Sequence, residues 1–399
     1  MHFRATAYAC SALALMLAAT QVAAIKPAAA QPADKFRIAG ILPLSGAWGI
    51  IGENMRRGAT IAIEERGSKV LGKPIEVMWE DTETSTQVAV QKATRALSQG
   101  VHTLFGEVSS GSTLAIMKLT DQRKVPQIVT LSADDRITGT DKSRYTFRTS
   151  NTVAMENAMI GEFAKRQSVK KMYGIIADYQ VGRDMWTALK ADLATKGIAV
   201  AGEEFAPIGS KDYSIMLDKA VKSGADGLLL LVVGGDVVTS LKQGGETGLP
   251  QKMKVMGTML MDETLGLAVG GSGALGVNST LRYHYTQDTA RNKKFVAAYQ
   301  AKYNELPSQY AGEAYDGLSW WLDTVDGTGV WDKEKWVDAF RNSVRQDSVE
   351  GVKRMRACDN QAEQPGLFGT AIAGSGTNPA VMMKVVENFQ AQTLFKPCN

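Results

Sequence analysis

From residue 36 onward, short apolar runs alternate with longer amphipathic stretches. The runs Phe36–Leu42, Ile75–Trp79, Thr103–Gly106 and Gln127–Thr130 predict strands, with helices over 53–66, 85–98 and 112–122 between and after them. The alternation returns in a second block, where Lys171–Ala177, Ile198–Glu203, Gly227–Val233 and Lys254–Gly257 predict strands and 154–166, 184–195, 212–222 and 237–246 predict helices. Apolar strands separated by amphipathic helices are what parallel sheets covered on both faces require. The fold class is therefore α/β, with two doubly wound lobes. Val277–Tyr285 reads as one more strand, followed by helices over 290–303, 311–326 and 331–342. After Arg345 the chain reads as irregular, apart from apolar segments at 367–373 and 380–386.

The first thirty residues have a different pattern. His2 and Arg4 give a positive start, Ala5 to Ala24 is a small-residue apolar run, and Ala28-Ala29-Ala30 precedes Gln31. This is the layout of a secretory signal cleaved near Ala30. A membrane anchor fits less well, because the run is rich in Ala and ends in Lys26-Pro27. Cys10 would leave with the leader, so Cys358 and Cys398 form an even pair in an oxidising compartment, and a disulfide between them is expected.

Composition narrows the function. In 399 residues, 45 Lys and Arg stand against 41 Asp and Glu, spread along the chain, for a net charge of +4. No basic stripe is present for a nucleic acid. Three histidines and three cysteines, widely spaced, build no zinc cage, so no metal is expected. Gly271-Ser-Gly-Ala-Leu-Gly276 matches a G-x-G-x-x-G pattern. It lies late in the chain ahead of a predicted strand, where a surface turn is expected and no nucleotide or other cofactor.

Ligands of open α/β sheets bind beyond the carboxyl ends of the strands. The loop after the first strand carries Trp48 at its tip, and Gly106-Glu-Val-Ser-Ser-Gly-Ser-Thr113 leads into a helix. Its hydroxyls and amides suit a carboxylate, and Ser110 or Ser112 equally suits a helix cap. Further strand-end loops are Leu131–Asp135, Asp178–Gly182, Gly234–Asp236 and Thr258–Glu263. No nucleophile, base and orienting acid fall together, and only a loop carboxylate pair such as Asp178 with Asp236 would offer hydrolytic chemistry. A binding role, not an enzyme, is expected.

Ile38–Gly46 with Gly52 and Gly58, Glu80-Asp-Thr-Glu83, Phe105–Thr113, Ala177–Gly182 and Gly234–Gln243 with Gly248-Leu249 together resemble the periplasmic solute-binding proteins of ABC importers, type I fold, in the branched-chain amino acid (Leu/Ile/Val) group. The resemblance covers almost the whole mature chain. It implies two lobes joined by three crossovers, lobe one from 35–150 and 283–355, lobe two from 151–282 and 356–399. It implies a carboxylate held by Ser109 and Ser110 and by Leu131, Ser132 and Ala133. The family's ammonium anchors align with Ala133 and Met259, which have no acceptor side chain, so Asp134, Asp236 or Asp262 would have to supply the charge. Trp48, Tyr179 and Tyr310 offer aromatic faces, and Gly234 lies in a matching loop. The expected protein is a periplasmic receptor, read as a monomer, that captures a small carboxylate-bearing solute (an amino acid or an aromatic or keto acid) and delivers it to a membrane permease. A ligand-sensing module for a separate signalling receptor and a secreted hydrolase are the alternatives.

Overall fold

A computed structural model describes residues 34–374 and 380–395. The leader expected over 1–30 and Cys398 lie outside the described residues. Strands β1 (Phe36–Leu42), β2 (Lys69–Val70), β3 (Lys73–Asp81), β4 (Thr103–Gly106), β5 (Gln127–Val129) and β6 (Thr146–Arg148) form a first sheet in the order β2-β3-β1-β4-β5-β6. All its pairings are parallel except β2 with β3. The next five strands are β7 (Lys171–Ala177), β8 (Ala199–Ala206), β9 (Gly227–Leu231), β10 (Lys254–Thr258) and β11 (Asn278–Leu281). A small antiparallel sheet follows, of β12 (Val344–Ser348), β13 (Gly351–Met355) and β14 (Ala362–Glu363). Finally β15 (Gly366–Ala373) adds antiparallel to β11 and β16 (Val381–Phe389) antiparallel to β15, giving a second sheet in the order β16-β15-β11-β10-β9-β7-β8.

Each sheet has its own apolar cores. Phe36, Ile38, Phe105, Ile128 and Phe147 of the first sheet pack with Trp321, Trp336 and Phe340 of the late helices, while Tyr173, Leu228, Val255 and Leu367 belong to cores of the second. The small sheet joins the first lobe through Val349, Met355 and Ala362. The chain therefore returns to the second sheet at Gly366, later than the boundary expected at 356, because the stretch read as irregular after Arg345 is paired strand. Its alternation is masked by charge: Lys353 is buried within 3.1 Å of Asp316 and in contact with Glu350, and Arg345 reaches Asp316 at 3.2 Å.

Three crossovers link the lobes, at 149–152, from Arg282 onward, and at Gln364–Pro365. Strand β11 ends at Leu281, so of the segment predicted as strand over Val277–Tyr285 the first half is strand and the part from Arg282 is one of these crossovers. The G-x-G-x-x-G segment lies at the surface, with Gly271, Ser272 and Gly276 exposed, but it is one helical turn with a packed inner side. Gly271–Ala274 is a short helix, and a Cβ on Gly273 would lie 2.2 Å from the Leu241 carbonyl oxygen. The glycine lets this turn press against the helix Gly235–Glu246. Cys358 is disulfide-bonded. Among the described residues no helix is long and apolar enough to cross a membrane, and no group of metal-ligating side chains occurs.

Candidate solute-binding site

A cavity of about 50 Å³ lies between the lobes, at the carboxyl ends of the parallel strands. The first lobe lines it with Trp48 after β1, Val108 and Ser110 after β4, and Leu131 and Ala133 after β5. The second contributes Val153 and Glu156 from the first turn of the helix Val153–Arg166, Tyr179, Val181 and Met185 after β7, Val233 after β9, and Thr258 and Met259 after β10. Arg282, the first crossover residue after β11, completes the wall.

Several contacts cross from lobe to lobe. The rings of Trp48 and Tyr179 meet edge to face with centroids 6.1 Å apart. The Tyr310 phenol donates to the Met259 carbonyl at 3.3 Å. Gly234 has φ +63°, and a Cβ there would lie 2.8 Å from the Ala47 carbonyl oxygen. Burial pushes the Tyr179 phenol up to about 12, so it is neutral and able to donate.

The polar part of the wall is small. Ser110 Oγ accepts from the amides of Ala133 and Asp134, both at 3.2 Å, which leaves its own hydroxyl hydrogen to donate. Arg282 is almost fully buried. Its Nε donates to Glu156 Oε1 at 2.9 Å, and its Nη1 donates to the Leu131 carbonyl. Glu156 Oε1 also accepts from Asn151 Nδ2 at 3.1 Å, whereas Glu156 Oε2 has no partner. Asn151 accepts in turn from Gln364 Nε2 at 2.7 Å, so residues of all three crossovers converge on this ion pair.

Of the residues singled out in the sequence, the cavity brings together Trp48, Ser110, Leu131, Ala133, Tyr179 and Met259. The others are employed elsewhere. Ser109 caps the helix Ser110–Arg123, accepting from the Ser112 amide at 3.2 Å. Ser132 is buried, with Oγ 2.6 Å from the Glu107 carbonyl oxygen and 2.6 Å from Thr113 Oγ1. Asp236 accepts from the Gly209 amide at 2.9 Å, and Asp262 caps the helix Glu263–Val269 through the Leu265 amide. Asp134 is paired with Arg136 at 2.6 Å. Asp178 is paired with Arg183, also at 2.6 Å, and neither it nor Asp236 lines the cavity. Tyr310 uses its hydroxyl in the bond to Met259 and lies in the first-lobe core.

Sequence reasoning missed Arg282 and Glu156. Arg282 was hidden inside a strand predicted to run too far. Its position directly after the run Val277–Leu281 was the available signal. Glu156 looked like one polar position of an amphipathic helix.

The family model described as "Periplasmic binding protein" matches residues 35–376. The chain is 28% identical over 309 residues to the Leu/Ile/Val-binding protein homolog 6 of Brucella melitensis biotype 1, covering 76% of this chain and 78% of that one. It is 26% identical over 312 residues to the leucine-, isoleucine-, valine-, threonine- and alanine-binding protein of Pseudomonas aeruginosa, covering 77% and 83%. A solute-binding protein of an ABC transporter from Rhodopseudomonas palustris BisB5, solved in complex with 3,4-dihydroxybenzoic acid, superposes with a TM-score of 0.83 at 26% identity, covering 90% of this chain and 98% of that one. With its two α/β lobes and a cavity between them, the chain belongs to the periplasmic binding protein family, type I fold, in the Leu/Ile/Val-binding group.

Proposed function

We propose that this protein is the periplasmic solute-binding component of an ABC importer, and that it captures a small carboxylate-bearing solute between its lobes for delivery to the membrane permease. The observation that carries the reading is the inter-lobe cavity, where the Ser110 hydroxyl and the Arg282 guanidinium lie among Trp48, Tyr179 and apolar side chains. A carboxylate there meets a neutral donor and a delocalised cation suited to planar anions. The relatives fit this chemistry, since one is named for amino acids and one is solved with an aromatic acid. The protein acts as a receptor, not a catalyst, so bound solute is recovered unchanged. It works as a monomer after its leader is cleaved near Ala30.

A thermal-shift screen of the mature protein against amino acids, aromatic and keto acids and short amides tests this. A solute at 100 times its Kd stabilises by about 2.7 kcal/mol. Ser110→Ala should weaken the best acid by roughly tenfold, the value of a hydrogen bond to a charged group. Shifts from amides alone, with no acid effective, would overturn the carboxylate reading.

A further inference from the structure

We infer that Glu156 sets the selectivity of this cavity: it demands, beside the carboxylate, a hydrogen-bond donor on the solute, best a charged one such as an ammonium on the adjacent carbon. This rests on the capture reading above and names what else the solute must carry. Glu156 is about 1% exposed. Its Oε1 takes both the Asn151 amide and Arg282 Nε, while Oε2 accepts from nothing among the described residues. A carboxylate has room for about four donors, and a buried oxygen left without any is costly; Asp262 and Glu313 also keep such an oxygen, but neither lines the cavity. Here the unsatisfied side chain lines the same cavity as Ser110 and Arg282.

Charge points the same way. Among the lining side chains Arg282 and Glu156 cancel, so a simple carboxylate would add one negative charge that no lining side chain balances; a further buried cation, Arg148, lies outside the lining and is turned to the Ser132 and Asp134 carbonyls. A solute carrying carboxylate and ammonium together adds no net charge. Ala133 and Met259 have no side-chain acceptor, and Asp134, Asp236 and Asp262 lie outside the lining; Asp134 pairs with Arg136, Asp236 accepts from the Gly209 amide, and Asp262 caps its helix through Oδ1 while its Oδ2 is unpaired. Glu156 is the one acidic side chain among the described lining residues. Because Arg282 and Glu156 are bonded to each other, the solute's two groups must sit side by side.

Calorimetric titration of the wild type and Glu156→Gln tests this with two ladders of acids. One is leucine, 2-hydroxy-4-methylpentanoate and 4-methylpentanoate; the other is phenylalanine, 3-phenyllactate and 3-phenylpropanoate, with benzoate alongside. On the skeleton that fits, the amino acid should bind best, the hydroxy acid next, and the donor-free acid at least tenfold more weakly. In Glu156→Gln the spread should collapse to within about threefold, with the donor-free acid unaffected or improved. A purely structural role would weaken every acid alike and leave their ratios intact. Should Glu156→Gln fail to fold, the wild-type ladder still decides, and Glu156→Asp should keep the preference for the ammonium at lower affinity. Donor-free acids binding as tightly as the amino acids, binding by benzoate alone, or unchanged ratios in the variant overturn this inference and leave the capture reading standing. Binding by none of the acids overturns both.

Discussion

Trp48 and Tyr179 stand on opposite lobes and meet across the cavity with their ring planes at 63°. Such edge-to-face pairs contribute about 0.5–1.5 kcal/mol beyond their buried area, and this pair forms only when the lobes are together. Trp48→Ala should therefore weaken solute binding by tenfold or more, whereas Trp48→Phe keeps a ring and loses less. Tryptophan emission should change when wild-type protein binds solute and should change far less in Trp48→Phe. Equal responses would place the reporter elsewhere.

Gly234 is the second contact that depends on closure. Its φ of +63° and its approach to Ala47 leave no room for a side chain. Gly234→Ala should cost the closed form about 1–3 kcal/mol and weaken solute affinity accordingly, with a smaller effect on melting of the solute-free protein. Small-angle scattering in saturating solute should show a more open particle than the wild type.

Glu107 follows β4 and is buried, accepting from Thr82 Oγ1 at 2.9 Å and from the Ser109 amide at 2.6 Å. Burial, opposed by those bonds, pushes its carboxyl up to about 7 from 4.5. The folded state thus holds this proton more tightly than the unfolded chain, and stability falls as pH rises between about 4.5 and 7, by about 3 kcal/mol at most. Glu107→Gln can accept from the Ser109 amide and donate to Thr82, so it should make the fall in denaturant-derived stability across that window shallower, leaving the share of the buried Asp262 and Glu350 carboxyls, which burial also raises. A wild-type curve already flat there would contradict the assignment.

Cys358 is disulfide-bonded, and the pairing we expect is with Cys398. Thiol titration of the unfolded, unreduced mature chain should find no free thiol. Cys358→Ser should leave one, and should cost about 2–4 kcal/mol of stability by freeing the carboxyl-terminal tail.

The sheets were readable because their strands are apolar and bounded by loops: β1, β4 and β7 run from Phe36 to Leu42, Thr103 to Gly106 and Lys171 to Ala177, as their hydrophobic runs predict. The small sheet was not, since Arg345 and Lys353 are buried there by pairing with Asp316, a long-range relation that leaves no apolar alternation. In the cavity, strand-end position located Trp48, Ser110 and Tyr179. Residue type alone does not separate these from Ser132, Asp236 and Asp262, which bond to nearby main-chain groups and lie outside the lining. The Arg282–Glu156 pair joins positions 126 residues apart, and only the folded chain brings them together.

The bonds from Gln364 through Asn151 to Glu156 and Arg282 place the cavity's charged wall at the pivot between the lobes and not at their rims. A lever turned near its fulcrum moves its far ends most. An ångström of adjustment where a solute meets Arg282 would be magnified with distance along each lobe, so the surfaces offered to a permease would register occupancy without touching the solute.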